Sequence, residues 1–123
     1  MNNNDHVSQN IENEINSNDV MLFMKGTPVF PMCGFSARVV EILNKVGVKF
    51  ESVNVLESDE MREGIKIYSN WPTIPQLYVK KEFIGGCDII TEMFESGELL
   101  ELFNTNGIDV NPVSYTHLRA HET

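Results

Sequence analysis

The stretch VMLFMKGTPVFPMCGFSARVVEILNKVGVKFESVNV, residues 20–55, decides the fold of this chain. It opens with a continuous apolar run, VMLFM, which is typical of a strand buried on both faces. Val39, Leu43 and Val46 then recur at helical spacing, and Gly47 stands where a helix C-cap is expected. The closing segment, KFESVNV, alternates apolar and polar side chains like a second strand. Strand, helix and strand in so short a stretch form a βαβ unit, which predicts parallel pairing of the two strands.

The segments before and after this unit predict further helices. Val7, Ile11 and Ile15 recur every four residues and indicate an amphipathic helix ahead of the first strand. Residues 58–70, SDEMREGIKIYSN, carry apolar side chains at helical spacing, and Ser58 is a typical N-cap residue. The chain is therefore expected to form an α/β domain.

A pair of short strands and two more helices complete the predicted order. The segment QLYVKKEFIGG (76–86) predicts two short strands joined by a tight turn, although the turn lacks the Asn-Gly pair that would define its type. Ile89, Met93 and Phe94 indicate the apolar face of the next helix, and ELLELFNTNG (98–107) indicates a last, short one. No internal repeat interrupts this order.

Length and charge exclude several classes of protein. The chain has 123 residues, 41% of them hydrophobic, which suits one domain with a single core. Its net charge is −9, and this acidity argues against a nucleic-acid partner or an anionic membrane partner, which would need a basic patch. No apolar run approaches the roughly 20 residues of a membrane span. The first residues contain no Lys or Arg and no apolar run, so neither a secretory signal nor a mitochondrial leader is expected.

The two cysteines, Cys33 and Cys87, are too few for a disulfide scaffold. We therefore expect free thiols in a reducing compartment, with the cytoplasm as the default and a processed organelle form left open.

The last residues differ from the rest of the chain. We expect the domain to cover residues 1–110 and residues 111–123 to form a disordered tail, since NPVSYTHLRAHET is polar and lacks apolar periodicity. The tail resembles a translated cloning or adapter segment. His117 and His121 are four residues apart, as zinc ligands on a helix can be, but no third ligand is near them in the sequence, so a metal site is not predicted there.

Cys33 is the first candidate for chemistry because it precedes the predicted helix of the βαβ unit. The dipole and free N–H groups of a helix N-terminus stabilise a thiolate and lower a cysteine pKa from about 8.5 to roughly 3.5–7.5. Pro31 and Gly34 place Cys33 in an irregular loop, which favours this role over that of a buried structural cysteine. Position 36, where a second redox cysteine would stand, is Ser36.

Three segments carry a resemblance to a known family. KGTPVFPMCGFS (25–36), NWPTIPQLY (70–78) and IGGCDI (84–89) resemble the signature segments of the monothiol glutaredoxins of the Cys-Gly-Phe-Ser type, in the expected order and spacing. The resemblance spans roughly residues 8–107. It implies a thioredoxin fold, with a four-stranded mixed sheet flanked by helices, and it implies glutathione as ligand.

The same resemblance implies a 2Fe-2S cluster shared by the two subunits of a homodimer, and a role in iron–sulfur cluster assembly. A 2Fe-2S cluster needs four thiolate or imidazole ligands. Cys33 from each of two chains and two glutathione thiolates would complete this set, so Cys33 is both the predicted metal ligand and the predicted catalytic thiol. Apo iron–sulfur acceptor proteins would receive the cluster, and whether a BolA-type partner replaces one subunit is left open.

Two other functions compete with cluster transfer. One is a glutathione-dependent thiol-disulfide oxidoreductase that uses a single thiol, and the other is a thioredoxin-fold adaptor with neither activity. In the family, an insert such as GTPVFP between Lys25 and Cys33 is associated with poor oxidoreductase activity. The insert therefore favours cluster transfer, and enzyme activity is expected to be weak at most.

The resemblance also assigns the glutathione contacts. Lys25 and Arg62 match the positions that meet the glycine carboxylate. For Lys25 the alternative is a solvated strand end, and for Arg62 it is an exposed ion pair with Asp59.

A second group of assignments follows the Thr-Val-Pro segment of the family. Thr73, Ile74 and Pro75 match this segment, with Ile replacing Val. The resemblance implies that Pro75 is cis and that the backbone of Ile74 pairs with the cysteinyl part of glutathione, as in strand addition. Trp71 is expected to pack beside the site.

The last group of glutathione contacts that the resemblance implies lies at the start of a predicted helix. The N–H groups of Gly86 and Cys87 would hold the γ-glutamyl carboxylate, and the Asp88 carboxylate would take the ammonium. The alternative for Asp88 is that it serves only as an N-cap. The side chain of Cys87 is interpreted as a small half-buried group, with a resolving thiol for Cys33 as the alternative.

Overall fold

The computed structural model describes residues 3–112, which form four strands and five α-helices. In chain order these are α1 (Asn3–Ser17), β1 (Val20–Met24), α2 (Gly34–Val46), β2 (Glu51–Asn54), α3 (Asp59–Ser69), β3 (Gln76–Val79), β4 (Glu82–Gly85), α4 (Cys87–Ser96) and α5 (Glu98–Thr105). No helix in this part of the chain is both long and apolar enough to cross a membrane. The predicted tail from residue 113 onward, including His117 and His121, lies outside the described residues.

The sheet has the strand order β2-β1-β3-β4. β1 pairs with β2 in parallel, whereas β1–β3 and β3–β4 are antiparallel. The predicted βαβ unit and the four-stranded mixed sheet are therefore confirmed, and the arrangement is that of the thioredoxin fold. β2 is shorter than predicted because Val55 begins a 3-10 turn, which the Asn54 side chain caps by accepting the Leu56 N–H at 3.0 Å.

β1 divides the core into two clusters because its side chains alternate between the faces of the sheet and all five are buried. Leu22 and Met24 pack with α2, α4 and α5 on one face, while Met21 and Phe23 pack with α1 and α3 on the other. The predicted apolar face of α1 is confirmed, since Val7, Ile11 and Ile15 are all buried in the second cluster.

The apolar face of α4 differs from the prediction. Ile90, not Ile89, is fully buried, while Ile89 is 39% exposed. Met93 and Phe94 pack against the core as predicted. The reason is that Ile89 turns toward the short segment ahead of the helix, where a Cβ on Gly85 would meet the Ile89 side chain.

The turn between β3 and β4 consists of Lys80 and Lys81, with φ of 49° and 73°. Two positive φ values are those of a type I′ turn, for which Asn-Gly is the preferred pair. Asp19 compensates for the missing pair: its carbonyl accepts the Lys80 N–H at 2.7 Å and its carboxylate lies 3.3 Å from the Lys80 ammonium.

Ordered contacts extend one residue past the predicted domain boundary. Gly47 ends α2 in the left-handed conformation, as predicted, with φ of 76°. The N–H of Asn111, which the sequence assigned to the tail, donates to the Gly47 carbonyl at 2.9 Å.

Candidate functional site

A cavity of about 350 Å³ lies where β1 ends and where α2 and α4 begin. It is lined by Lys25, Cys33, Phe35, Lys66, residues 71–75 and residues 86–89. These include every predicted site residue except Arg62. A larger cavity of about 820 Å³ lies between residues 17–20, 47–51 and 107–111, but no cysteine or histidine lines it. The smaller cavity is therefore the candidate site.

Cys33 occupies the N-cap position of α2 in extended conformation and its side chain is half-buried. Burial raises the pKa of the Cys33 thiol, but the backbone N–H groups of Ser36 and Phe35, the Ser36 hydroxyl and the Lys25 charge outweigh it, so the net pKa is below the ordinary cysteine value. The Cys33 side chain makes no hydrogen bond that caps α2. The structure thus favours the thiolate expected from the sequence.

Ser36 has a structural role that the sequence did not reveal. Its side chain is fully buried, and its hydroxyl oxygen accepts the backbone N–H of Lys25 at 3.0 Å. The hydroxyl therefore connects the end of β1 to the first turn of α2, beside Cys33. Lys25 and Ser36 come together only in the folded structure, so their separation in the sequence could not indicate this contact.

The inserted loop, residues 26–31, has a defined shape. At its base, the Met32 N–H donates to the Lys25 carbonyl at 2.9 Å and the Gly26 N–H donates to the Asn54 side-chain oxygen at 2.9 Å. Val29 and Phe30 of this loop, together with Met32 and Phe35 on either side of Cys33 in the chain, are 64–79% exposed and are called here the apolar rim. Exposed apolar side chains beside a reactive thiol are typical of a protein-contact surface.

The loop between α3 and β3 forms one wall of the cavity. The Ile74–Pro75 peptide bond is cis, which confirms the expectation from the resemblance. The Trp71 ring lies 5.8 Å from that of Phe83, centroid to centroid, and Trp71 also lines the cavity. Trp71 therefore packs beside the site, as expected.

The opposite wall is the start of α4. Gly86 is the N-cap, so the alternative that Asp88 caps this helix is wrong. A Cβ on Gly86 would lie 3.1 Å from the Pro75 carbonyl, which brings α4 close to the loop. Cys87 begins the helix, and its sulfur lies 3.9 Å from the Thr91 hydroxyl. Cys33 and Cys87 are both free thiols.

Of the two predicted cations, Lys25 and Arg62, one lines the cavity. Lys25 lines the cavity, but Arg62 does not; its guanidinium lies 3.1 Å from Asp59 and 3.9 Å from Glu63. Lys66, one helical turn further along α3, lines the cavity instead. Sequence reasoning missed Lys66, although its position four residues after Arg62 places both on one helix face.

Among the side chains that the structure describes, residues 6–112, no group of three or more His, Cys, Asp or Glu is placed to hold a metal ion. At the cavity, one chain offers one thiol of lowered pKa, two lysines and one carboxylate. A metal centre with four ligands at Cys33 therefore needs ligands from outside the described part of the chain.

Comparisons with known proteins agree with this geometry. Residues 20–84 match the family model described as Glutaredoxin. The probable monothiol glutaredoxin 2 of Rickettsia felis is 61% identical over 89 residues, which cover 72% of this chain and 86% of that protein. Monothiol glutaredoxin-S11 of Oryza sativa subsp. japonica is 50% identical over 108 residues, which cover 88% of this chain but only 22% of that longer protein.

A solved structure shows the same fold. The solution structure of a monomeric truncated mutant of Trypanosoma brucei 1-C-Grx1 superposes with a TM-score of 0.78 at 42% identity, covering 85% of this chain and 94% of that one. The family model, the identity to proteins of similar length and the shared fold together show that this chain belongs to the monothiol glutaredoxin family.

Proposed function

We propose that the protein binds a 2Fe-2S cluster together with glutathione and transfers it during iron–sulfur cluster assembly, with the cluster bridging two copies of the chain through Cys33 and glutathione. The observation that carries this proposal is the cavity itself. It joins a thiol of lowered pKa to a set of charges that complements glutathione. We place this activity in the cytoplasm.

The charges of glutathione have a counterpart at each part of the cavity. Glutathione carries two carboxylates, one ammonium and a thiol. Lys25 and Lys66 provide cations for the glycine carboxylate, and Asp88 provides an anion for the ammonium. The N-terminus of α4, a ten-residue helix, favours the γ-glutamyl carboxylate. A volume of about 350 Å³ lies within the range of small-ligand sites.

The cluster is the cargo of this function, and the thiol chemistry at the cavity fits it. Iron in such clusters prefers thiolates, and the lowered pKa of Cys33 keeps more of this ligand deprotonated. Because one chain supplies one such thiolate, a second copy and two glutathione molecules are needed to reach four ligands.

The apolar rim around Cys33 supplies a surface for the second copy, and a BolA-type protein is the alternative partner. An apo iron–sulfur protein would then accept the cluster.

Anaerobic reconstitution with iron, sulfide and glutathione tests the proposal. We expect a coloured dimer that contains about two irons per two chains. Cys33→Ser should abolish loading because a hydroxyl is a poor ligand for this iron, while the matched variant Cys87→Ser should retain most of it. A colourless monomer, under conditions that load a control ferredoxin, would disprove cluster binding. Equal loss in both variants would make Cys87 a ligand as well.

A glutathione-dependent oxidoreductase is the second candidate, and the lowered pKa of Cys33 supports it too. The Cys33 thiolate would attack the glutathionyl sulfur of a mixed disulfide and release the other thiolate, and a second glutathione would then reduce Cys33 and leave as glutathione disulfide. Mass spectrometry after treatment with glutathione disulfide tests the one-thiol route. A gain of one glutathione supports it, whereas a Cys33–Cys87 disulfide would make Cys87 a resolving thiol.

A further inference from the structure

Gln76, the first residue of β3, is fully buried, and with Ser36 it is one of two buried polar side chains within residues 6–112. Burial of an amide is costly unless its donors and acceptor are paired. Gln76 is paired: its Nε2 donates to the Thr73 carbonyl at 3.1 Å and to the Trp71 carbonyl at 3.4 Å. The side chain therefore holds two carbonyls of the loop that lines the cavity.

Tyr78 fixes which way the Gln76 amide faces. Its hydroxyl donates to Gln76 Oε1 at 3.3 Å, so the oxygen faces the phenol and the NH₂ group faces the loop. The Tyr78 ring is itself held in an aromatic cluster, with centroid distances of 5.8 Å to Phe23 and 5.4 Å to Phe83. Burial raises the pKa of Tyr78 to about 12, so the phenol remains a donor at neutral pH.

The hydrogen bond to Thr73 determines the direction of the next N–H. The Thr73–Ile74 peptide is trans and planar, so the Ile74 N–H points opposite to the Thr73 carbonyl, away from Gln76. Ile74 lines the cavity, and within residues 3–112 its N–H has no acceptor. Gln76 holds the Thr73 carbonyl, and this carbonyl belongs to the same peptide plane as the Ile74 N–H. Gln76 therefore sets the direction of a free hydrogen-bond donor at the cavity.

We propose that Gln76 is a positioning residue: by holding the Trp71 and Thr73 carbonyls, it fixes the loop 71–75 so that the Ile74 N–H presents a preformed hydrogen bond to the glutathione backbone. This role rests on the proposed function, because the ligand is glutathione. A preformed donor costs less to order on binding than a mobile one, so Gln76 contributes to affinity without touching the ligand.

Gln76→Met tests the proposal because Met keeps the buried volume and removes all three hydrogen bonds. Glutathione binding, measured by calorimetry, should weaken about tenfold, which corresponds to about 1.4 kcal/mol. Trp71 is the single tryptophan of the chain, so quenching of its fluorescence by acrylamide should increase and report the loosened loop without any ligand. The titration of Cys33 should not change, since the groups that lower its pKa lie on α2 and at Lys25.

Phe103→Leu is the matched control, because Phe103 is fully buried in the other core cluster and its truncation lowers stability without touching the loop. If Gln76→Met lowers stability but equals this control in affinity and quenching, the positioning role is overturned. If Gln76→Met does not fold, the same two measurements on Tyr78→Phe decide: increased quenching with weaker binding supports the role, and no change overturns it. If the wild-type protein fails to bind glutathione, the proposed function is wrong. The quenching of Trp71 fluorescence in Gln76→Met, compared with wild type, would then decide whether Gln76 holds the loop.

Discussion

At the scale of single residues, the chemistry of Cys33 depends on a neighbour that does not react. Ser36 accepts the Lys25 N–H and also contributes to the lowered pKa of Cys33. Its hydroxyl can accept from the backbone with a lone pair and donate its proton toward the sulfur, which no cysteine or alanine does equally well. The residue that replaces a second cysteine is thus part of the thiolate site.

Ser36→Ala should raise the pKa of Cys33 toward the ordinary cysteine value of about 8.5. The ultraviolet absorbance of the thiolate, followed against pH, measures this shift. Because folding lowers this pKa, the folded state gains stability as pH rises from the lowered pKa to about 8.5, and it loses that stability as pH falls through the lowered pKa. Ser36→Ala should narrow the pH range over which stability changes. Ser96→Ala removes an exposed hydroxyl in α4 and should leave the curve unchanged. An unshifted curve in Ser36→Ala would show that the hydroxyl does not act on Cys33.

The two cations of α3 make a second residue-scale prediction. Lys66→Ala should weaken glutathione binding by about 1.5 kcal/mol, the lower end for a hydrogen bond to a charged group. Arg62→Ala should change it by less than about 0.5 kcal/mol, because Arg62 does not line the cavity and its exposed ion pair with Asp59 is worth little. Calorimetry at two salt concentrations measures both. Equal losses would restore Arg62 as a ligand contact, as the resemblance implies.

The site residues show what sequence can and cannot provide. Cys33 was predictable from its place ahead of a helix, whereas Lys25 and the cis Pro75 were expected from the resemblance, whose motif segments are contiguous in the chain. Ser36 and Gln76 were not assigned these roles, because their hydrogen bonds are buried contacts that depend on the loop geometry. A sequence gives the position and type of each residue, but it does not give the direction in which a buried hydroxyl or amide forms its hydrogen bonds.

At the scale of elements, apolar patterns in the sequence predicted each helix and strand, whereas local turn chemistry did not define the turn between β3 and β4. Lys80 and Lys81 both adopt positive φ although neither is Asn or Gly. Contacts of Lys80 with Asp19 outweigh the unfavourable local conformation. α4 shows a similar limit: Ile89 and Ile90 are adjacent and equally apolar, so only packing determines which one is buried.

Lys81→Gly should stabilise the protein by up to about 1 kcal/mol. The left-handed conformation costs a non-Gly residue about 1–2 kcal/mol, and glycine avoids this cost but loses more backbone entropy on folding. Urea unfolding measures the change. Lys81→Ala is the matched control: it removes the same charge but keeps Cβ, so it should give no stabilisation. Equal effects of the two variants would assign the change to charge and not to φ.

At the scale of the whole molecule, the two core clusters place three distant segments at one end of the sheet. Residues 25–36 follow β1, residues 66–75 lead into β3 and residues 86–89 open α4. The order of elements made this convergence predictable from the βαβ unit and the hairpin. What the sequence did not show is that the apolar rim stands exposed beside Cys33 on a chain of net charge −9.

This combination predicts a dimer that depends on the apolar rim. Two copies of charge −9 repel each other at long range, so we expect association to need short-range apolar contact in addition to the proposed bridging cluster. Phe30 is 73% exposed and does not line the cavity. Phe30→Asp should therefore weaken the cluster-bound dimer by about 2 kcal/mol, the scale of an aromatic contact at the centre of an interface, while glutathione affinity stays unchanged.

Native mass spectrometry and analytical ultracentrifugation of reconstituted protein measure this loss. Ile67→Asp is the matched control, because Ile67 is 71% exposed on α3 and the substitution adds the same charge outside the apolar rim. Added salt should strengthen the wild-type dimer by screening repulsion between the copies. If Phe30→Asp and Ile67→Asp form equal amounts of dimer, the rim does not contact the second copy, and the thiolates and glutathione alone must hold the two chains together.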